Sequence, residues 1–198
     1  MTPDASEPLA VVGIACRFPG AHGPAALWRR LCEGYDAIGQ MPAARFAECA
    51  LDPAQWTDKS YTTGGFLPDI DRFDPTFFGV APREARRMDP QQRLLLETVW
   101  EVLDDAGVPP DRTAGTKTGI FVGEMSADYW DLQQRATDID LHAVLSSARS
   151  LLSGRLSHTF DLRGPSMSLD TGCSSALLAI HLAARSLRSG ESTLALAG

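Results

Sequence analysis

The chain has 198 residues, 44% hydrophobic and 22% charged, with a formal net charge of −7 at pH 7. Those fractions belong to a globular protein with its own core, and the acidic balance argues against nucleic acid or an anionic membrane as the main partner. Four cysteines, Cys16, Cys32, Cys49 and Cys173, stand far apart with no CxxC spacing, a pattern of neither a disulfide framework nor a zinc site, which fits a reducing cytoplasm. The first residues, MTPDASEP, lack the basic and apolar regions of a signal peptide. No apolar run approaches the ~18 residues that a membrane span needs.

In chain order, residues 1–8 read as a leader. Leu9 to Cys16, LAVVGIAC, is a near-continuous apolar run that predicts a strand buried on both faces, ended by a turn at 17–20. Pro24 to Glu33 predicts a helix with Pro at its start, Leu27, Trp28 and Leu31 on one face and Gly34 as its stop. The stretch from Tyr35 to Tyr61, which holds Cys49, shows no sustained period and predicts a long surface excursion. GGF at 64–66 begins a short strand. Asp74–Pro75, Ala81–Pro82 and Asp89–Pro90 each predict a helix start with Pro at the first helical position. From Pro90, the spacing of Leu94, Leu95, Leu96, Val99, Trp100, Val102 and Leu103 predicts a helix with a wide buried face, closed by Gly107. Arg83, Arg86, Arg87 and Arg93 read either as a docking surface for an acidic partner or as a solvated helix face.

Lys117 to Gly123, KTGIFVG, predicts a buried strand in which Gly119 and Gly123 mark close backbone approaches. Helices are predicted over 126–134 and 147–160, the second carrying Leu151, Leu152, Leu156 and Phe160. A turn at 161–164 leads into a short extended run, Ser166 to Asp170, where Met167 and Leu169 alternate with polar residues. Thr171, Gly172, Cys173 and Ser174 then make a tight turn. The helix behind it is almost wholly apolar from Ala176 to Leu187, has Arg185 and Arg188 in its last turn, and stops at Gly190. STLALAG, 192–198, begins another buried strand. His181 inside the apolar helix reads as a core histidine; His22, His142 and His158 carry no motif.

Strand, tight turn and buried helix with a cysteine at the turn have a chemical meaning. A cysteine at a helix N-terminus faces backbone N–H groups and the positive end of the helix dipole, which favours a thiolate. The same amides suit an oxyanion developing on an attacked carbonyl. Gly172 permits the sharp turn, and Ser174, Ser175 and Ala176 leave room for a substrate. A structural cysteine is the alternative for any lone Cys; the small-residue cradle at Cys173 favours the nucleophile. A cysteine hydrolase is a remote third reading, since no His–Asn or His–Asp arrangement accompanies the thiol.

LDTGCSSALLAIHLAARSLRSGE resembles the active-site segment of β-ketoacyl synthases, in particular the ketosynthase domains of modular type I polyketide synthases. EPLAVVGIACRFPGA resembles the opening of that domain, and PREA followed by MDPQQRLLLE is a third matching patch. The family usually reads DTACSSSL, so Gly172 and Ala176 depart from it, both as small-for-small exchanges that keep the turn and the cysteine.

The resemblance implies a thiolase-like layered α/β fold (αβαβα), of which residues 9–198 would be the N-terminal half, a mixed sheet flanked by helices. In that fold the strand Ser166 to Asp170 would be central and would pair with its mate across a dimer two-fold. It implies acyl transfer to Cys173 followed by decarboxylative Claisen condensation with a malonyl-type extender. The partner is then an acyl carrier protein bearing both thioesters on its phosphopantetheine, with no cofactor bound directly and no metal. The family places two histidines and a lysine for decarboxylation in HGTGT-like and GHxxxAAG-like motifs. No histidine of this sequence stands in either, so Cys173 is the one catalytic residue assigned. A truncated, catalytically incompetent fragment or interaction remnant is the alternative. The apolar helix at 175–187 is expected to need cover from residues beyond this stretch.

Overall fold

The computed structural model describes residues 7–48, 62–134, 144–146 and 148–198; His142 and residues 49–61 of the excursion, Cys49 among them, lie outside them. Two compact units are present, one of Ala15–Arg72 and one of Met1–Ile14 with Phe73–Gly198.

The unit Ala15–Arg72 is built of short antiparallel ribbons and helices. Strands β1 (Arg17–Phe18) and β2 (Ala21–His22) pair with each other, as do β3 (Ile38–Gln40) and β4 (Thr63–Gly65). Helix α1 (Pro24–Glu33) has the predicted proline start, and Gly34 ends it in the left-handed region at φ 63°, a conformation that costs glycine least. Its apolar face is open: Trp28 is 69% and Leu31 63% exposed. Helix α2 spans Ala43–Glu48.

The larger unit is organised on β5 (Thr118–Gly123), which is buried from Thr118 to Val122. Parallel strands β6 (Ser166–Leu169) and β7 (Leu194–Ala197) flank it in the order β6-β5-β7, with Ile120 opposite Ser166 and Leu196. Among the described residues this sheet is all parallel, where a mixed sheet is expected, and antiparallel pairing occurs only in the separate ribbons. The central strand of the described sheet is β5, whereas β6, which the resemblance implied would be central, is an edge of it.

Side chains alternate across a strand, and β5 uses both faces. Ile120 and Val122 join Leu96, Val99 and Leu103 of α4 (Pro90–Asp105) and Leu152 and Leu156 of α7 (Leu152–Thr159) in one core. Phe121 points to the other side, against Ala179 and Ala183 of α8 (Ser175–Ser189). The smaller helices α3 (Pro82–Arg87), α5 (Pro110–Thr113) and α6 (Asp128–Gln134) complete the unit. On β6 the alternation becomes a polar seam to α7: the Ser157 and Ser166 hydroxyls lie 2.9 Å apart, and the Ser168 hydroxyl donates to Ser153 Oγ at 3.1 Å.

Of the proline starts read from the sequence, Pro24, Pro82 and Pro90 open helices and Pro75 does not. Asp89 caps α4 by accepting from the Gln91 N–H at 2.8 Å. Asp74–Pro75 opens only a turn, in which the Val80 N–H reaches Pro75 O at 2.8 Å just after Gly79 enters the left-handed region. The helix read over 147–160 begins as a 3-10 turn at Arg149–Leu151.

The largest correction concerns Leu9 to Cys16. No described strand pairs with it, and Val11, Val12 and Ile14 are more than half exposed. An apolar run becomes a two-sided buried strand only where other strands flank it. Here Gly13 instead sits against α4, so close that a Cβ would lie 2.5 Å from Val102 O, and the Ile14 N–H donates to Asp105 Oδ2 at 2.8 Å. No helix among the described residues is long and apolar enough to cross a membrane.

Candidate active site

Cys173 lies on the turn between β6 and α8 and is exposed, as sequence reasoning placed it. The turn is closed by local hydrogen bonds. Gly172 adopts φ 62° with no other group within 4 Å of a would-be Cβ, so its role is the turn itself. Its N–H donates to Asp170 Oδ1 at 3.0 Å. The buried Ser175 hydroxyl accepts from the Thr171 N–H at 2.9 Å and donates to Gly172 O at 2.7 Å. Ser174 Oγ donates to Thr171 O at 2.9 Å. Asp170, Thr171, Gly172, Ser174 and Ser175 thus fix the backbone on both sides of the cysteine. Gly123, at the end of β5, meets Ser175 and Ala176 so closely that a Cβ would lie 2.7 Å from Ser175 Cβ and 2.9 Å from the backbone of both residues, which sets the start of α8 directly on the strand.

The helix behind the cysteine is buried on one face only. Ala179, Ala183 and Ser186 face the sheet, while Leu177 is 73% and Ile180 54% exposed. The helix read as buried is therefore half exposed: the described strands cover one side and nothing described covers the other, the side expected to need cover. His181 shares that outer side and is exposed, not a core residue.

Sequence reasoning missed a charged cluster beside the turn. The Arg149 guanidinium pairs with Asp170 and donates from Nη2 to Glu124 O at 3.0 Å. Burial pushes the Glu124 carboxyl up, opposed by Arg149, and the hydrogen bond from Arg149 holds the Asp170 carboxyl below its usual range. No pattern in one sequence signals this, because the three residues come from separate elements. Among the arginines read as a docking surface, Arg93 is buried, donating to Met88 O at 2.9 and 2.6 Å, so it belongs to no open surface. Arg83 and Arg86 are exposed.

A family model described as Beta-ketoacyl synthase, N-terminal domain, matches residues 6–198. The chain belongs to that family. It is 48% identical over 200 residues to a phenolphthiocerol/phthiocerol polyketide synthase chain of Mycobacterium tuberculosis, a match that covers 98% of this chain and 11% of that protein. It is 48% identical over 201 residues to Erythronolide synthase EryA2 of Saccharopolyspora erythraea, covering 98% of this chain and 6% of the relative. Among solved structures, the oxazolomycin ketosynthase domain OzmH KS7 of Streptomyces albus JA3453 superposes with a TM-score of 0.81 at 38% identity, over 95% of this chain and 33% of that one. The ketosynthase from module 6 of the Bacillus subtilis bacillaene synthase gives a TM-score of 0.80 at 32% identity, over 95% and 30%. The chain spans about a tenth or less of these synthases and a third of the ketosynthase structures. Its fold is thus the thiolase-like α/β fold of ketosynthases, of which it covers about a third, with Cys173 on the β6–α8 turn.

Proposed function

We propose that residues 9–198 form the N-terminal part of a β-ketoacyl synthase domain of polyketide or related fatty acid biosynthesis, with Cys173 as the acyl-accepting nucleophile. The observation that carries the proposal is the exposed thiol on a turn held by Ser175, Asp170 and Gly172 at the N-terminus of a 15-residue helix. The Cys173 thiolate attacks the carbonyl carbon of an acyl thioester and a new S–C bond forms. The carrier's C–S bond breaks, and the phosphopantetheine sulfur leaves as a thiolate that takes up the proton the Cys173 thiol had released. Amides of the first turn of α8 face the developing oxyanion.

In the second half-reaction a carrier-bound malonyl-type unit loses carbon dioxide. The electron pair of the broken C–C bond forms the new bond to the acyl carbon, and the Cys173 thiolate departs. The histidines and lysine that the family uses for this step are not assigned to any residue of this chain. An acyl carrier protein is the partner, a reducing cytoplasm suits the free thiol, and β6, at an edge of the described sheet, suits pairing between two copies of the domain.

The test is reconstitution: the chain is combined with the remaining part of a relative's ketosynthase domain and given acyl and malonyl thioesters. Carbon dioxide release with a chain-extended product is expected, and Cys173→Ala is expected to abolish extension. Extension that survives Cys173→Ala would refute the assignment. Failure in every combination, fused or mixed, would favour an incompetent remnant.

A further inference from the structure

Three separate elements meet beside the nucleophile turn. Glu124 directly follows β5, Arg149 opens the 3-10 turn ahead of α7, and Asp170 directly follows β6. Arg149 Nη2 donates both to Glu124 O at 3.0 Å and to the Asp170 carboxylate, and its Nε lies 4.0 Å from Glu124 Oε1. The other Asp170 oxygen accepts from the Gly172 N–H, one residue before Cys173. The Glu124 N–H donates to Leu169 O at 2.9 Å, so the backbones carrying the two carboxylates are themselves joined.

The charges in this cluster do not balance. Two carboxylates share one guanidinium, and Glu124 is buried, with Oε2 finding no hydrogen-bond partner among the described residues. A thiolate that forms at Cys173, three residues from Asp170, adds a further negative charge. Charges this near are not fully screened at moderate salt, where the Debye length is ~8–10 Å.

We propose that Arg149 is a positioning residue for Cys173: it neutralises Asp170 and Glu124 and holds Asp170 as the acceptor that fixes the Gly172 turn. This rests on the reading of Cys173 as the nucleophile. Without the guanidinium, Asp170 loses the partner that orients it, and two carboxylates oppose the thiolate. Both hydrogen bonds leave one nitrogen, Nη2, so a lysine, with three donors on its single nitrogen, keeps the cation without needing the guanidinium fork.

The test uses the full chain at neutral pH and low salt, with iodoacetamide as the probe. Alkylation rates are read for the Cys173 and Cys32 peptides by mass spectrometry. Cys32 is exposed and lies in the other unit, so it serves as the internal reference. Arg149→Gln is expected to slow Cys173 about three- to tenfold, in keeping with the loss of one partly exposed ion pair, and to leave Cys32 unchanged. Arg149→Lys stays within about twofold of the parent chain, since the charge is kept.

The double change Arg149→Gln with Asp170→Asn recovers part of the rate lost in Arg149→Gln, because the carboxylate left without its counterion is gone. A purely structural role would make the double variant worse. Arg149→Gln at the parent rate, or a double variant slower than Arg149→Gln, overturns the proposal. If Arg149→Gln loses the parent circular dichroism spectrum, Asp170→Asn alone decides. Its amide oxygen still accepts from Gly172 and one negative charge is gone, so Cys173 labelling no slower than in the parent supports the proposal and slower labelling overturns it. Parent chain in which Cys32 labels ahead of Cys173 would remove the nucleophile assignment, and this inference with it.

Discussion

Gly123→Ala tests how the strand end sets the nucleophile helix. A Cβ at this position would lie 2.7 Å from Ser175 Cβ and 2.9 Å from both Ala176 N and Ser175 C. Ordinary carbon contacts sit near ~3.5 Å, so the start of α8 must retreat by roughly 0.8 Å. Two of the three atoms are backbone, and no rotamer change relieves them. Overpacking of this kind costs about 1–3 kcal/mol, and at this chain length each kcal/mol lowers the melting temperature by roughly 2–4 °C. The expected fall is therefore about 2–12 °C, followed by circular dichroism at fixed protein concentration. The retreat also pulls on the bonds from Thr171 to Ser175 and from Ser175 to Gly172, so alkylation of Cys173 relative to Cys32 should slow as well. Gly154→Ala is the control: Gly154 lies in α7 with nothing within 4 Å of a Cβ, and alanine should stabilise that helix by about 0.5–1 kcal/mol. A Gly123→Ala chain that melts within about 1 °C of the parent and labels at the parent rate would refute the close-approach argument.

Ser175→Ala removes an acceptor for the Thr171 N–H and a donor to Gly172 O in one step; a loss of about 1–3 kcal/mol and slower Cys173 labelling are expected, and an unchanged urea midpoint would contradict the bridging role. Burial raises the Asp89 carboxyl, so the folded chain holds that proton more tightly than the unfolded one. The stability linked to this proton is present below the usual carboxylate range, about pH 4, and is lost as pH rises through the raised value. Asp89→Asn keeps the helix cap and should match or exceed the parent in urea stability at pH 7, with the gap closing toward pH 4; a less stable variant at pH 7 would show that the charged cap outweighs its burial. Replacing Leu177 and Ile180 together by Glu should shift the chain toward monomer in sedimentation velocity and weaken dye binding to apolar surface, since both side chains are more than half exposed. A parent chain that is already monomeric and binds no dye would contradict the exposed-face reading.

Features written in a few adjacent residues are legible in the sequence. Prolines and glycines mark the ends of α1, α4 and α8, because caps are local chemistry. Gly123 announces a close approach, and the small residues around Cys173 announce the turn. Burial is less legible. An apolar face at Leu9 to Ile14, on α1 or on the outer side of α8 shows that cover suits it, not that a described element supplies the cover. His181 misleads for the same reason: its neighbours in sequence are apolar, yet it faces the uncovered side. Arg149 is invisible because its partners, Glu124 and Asp170, lie 25 and 21 residues away. Only the parallel register of β5 and β6 brings the ends of those strands together.

The most direct test of the account is transfer of an acyl group from a simple acyl thioester to the full chain, read by mass spectrometry of every cysteine peptide. The account predicts the acyl mass on the Cys173 peptide ahead of Cys16, Cys32 and Cys49, and its loss in Cys173→Ala. Acylation spread evenly over the exposed thiols, or retained in Cys173→Ala, would contradict it.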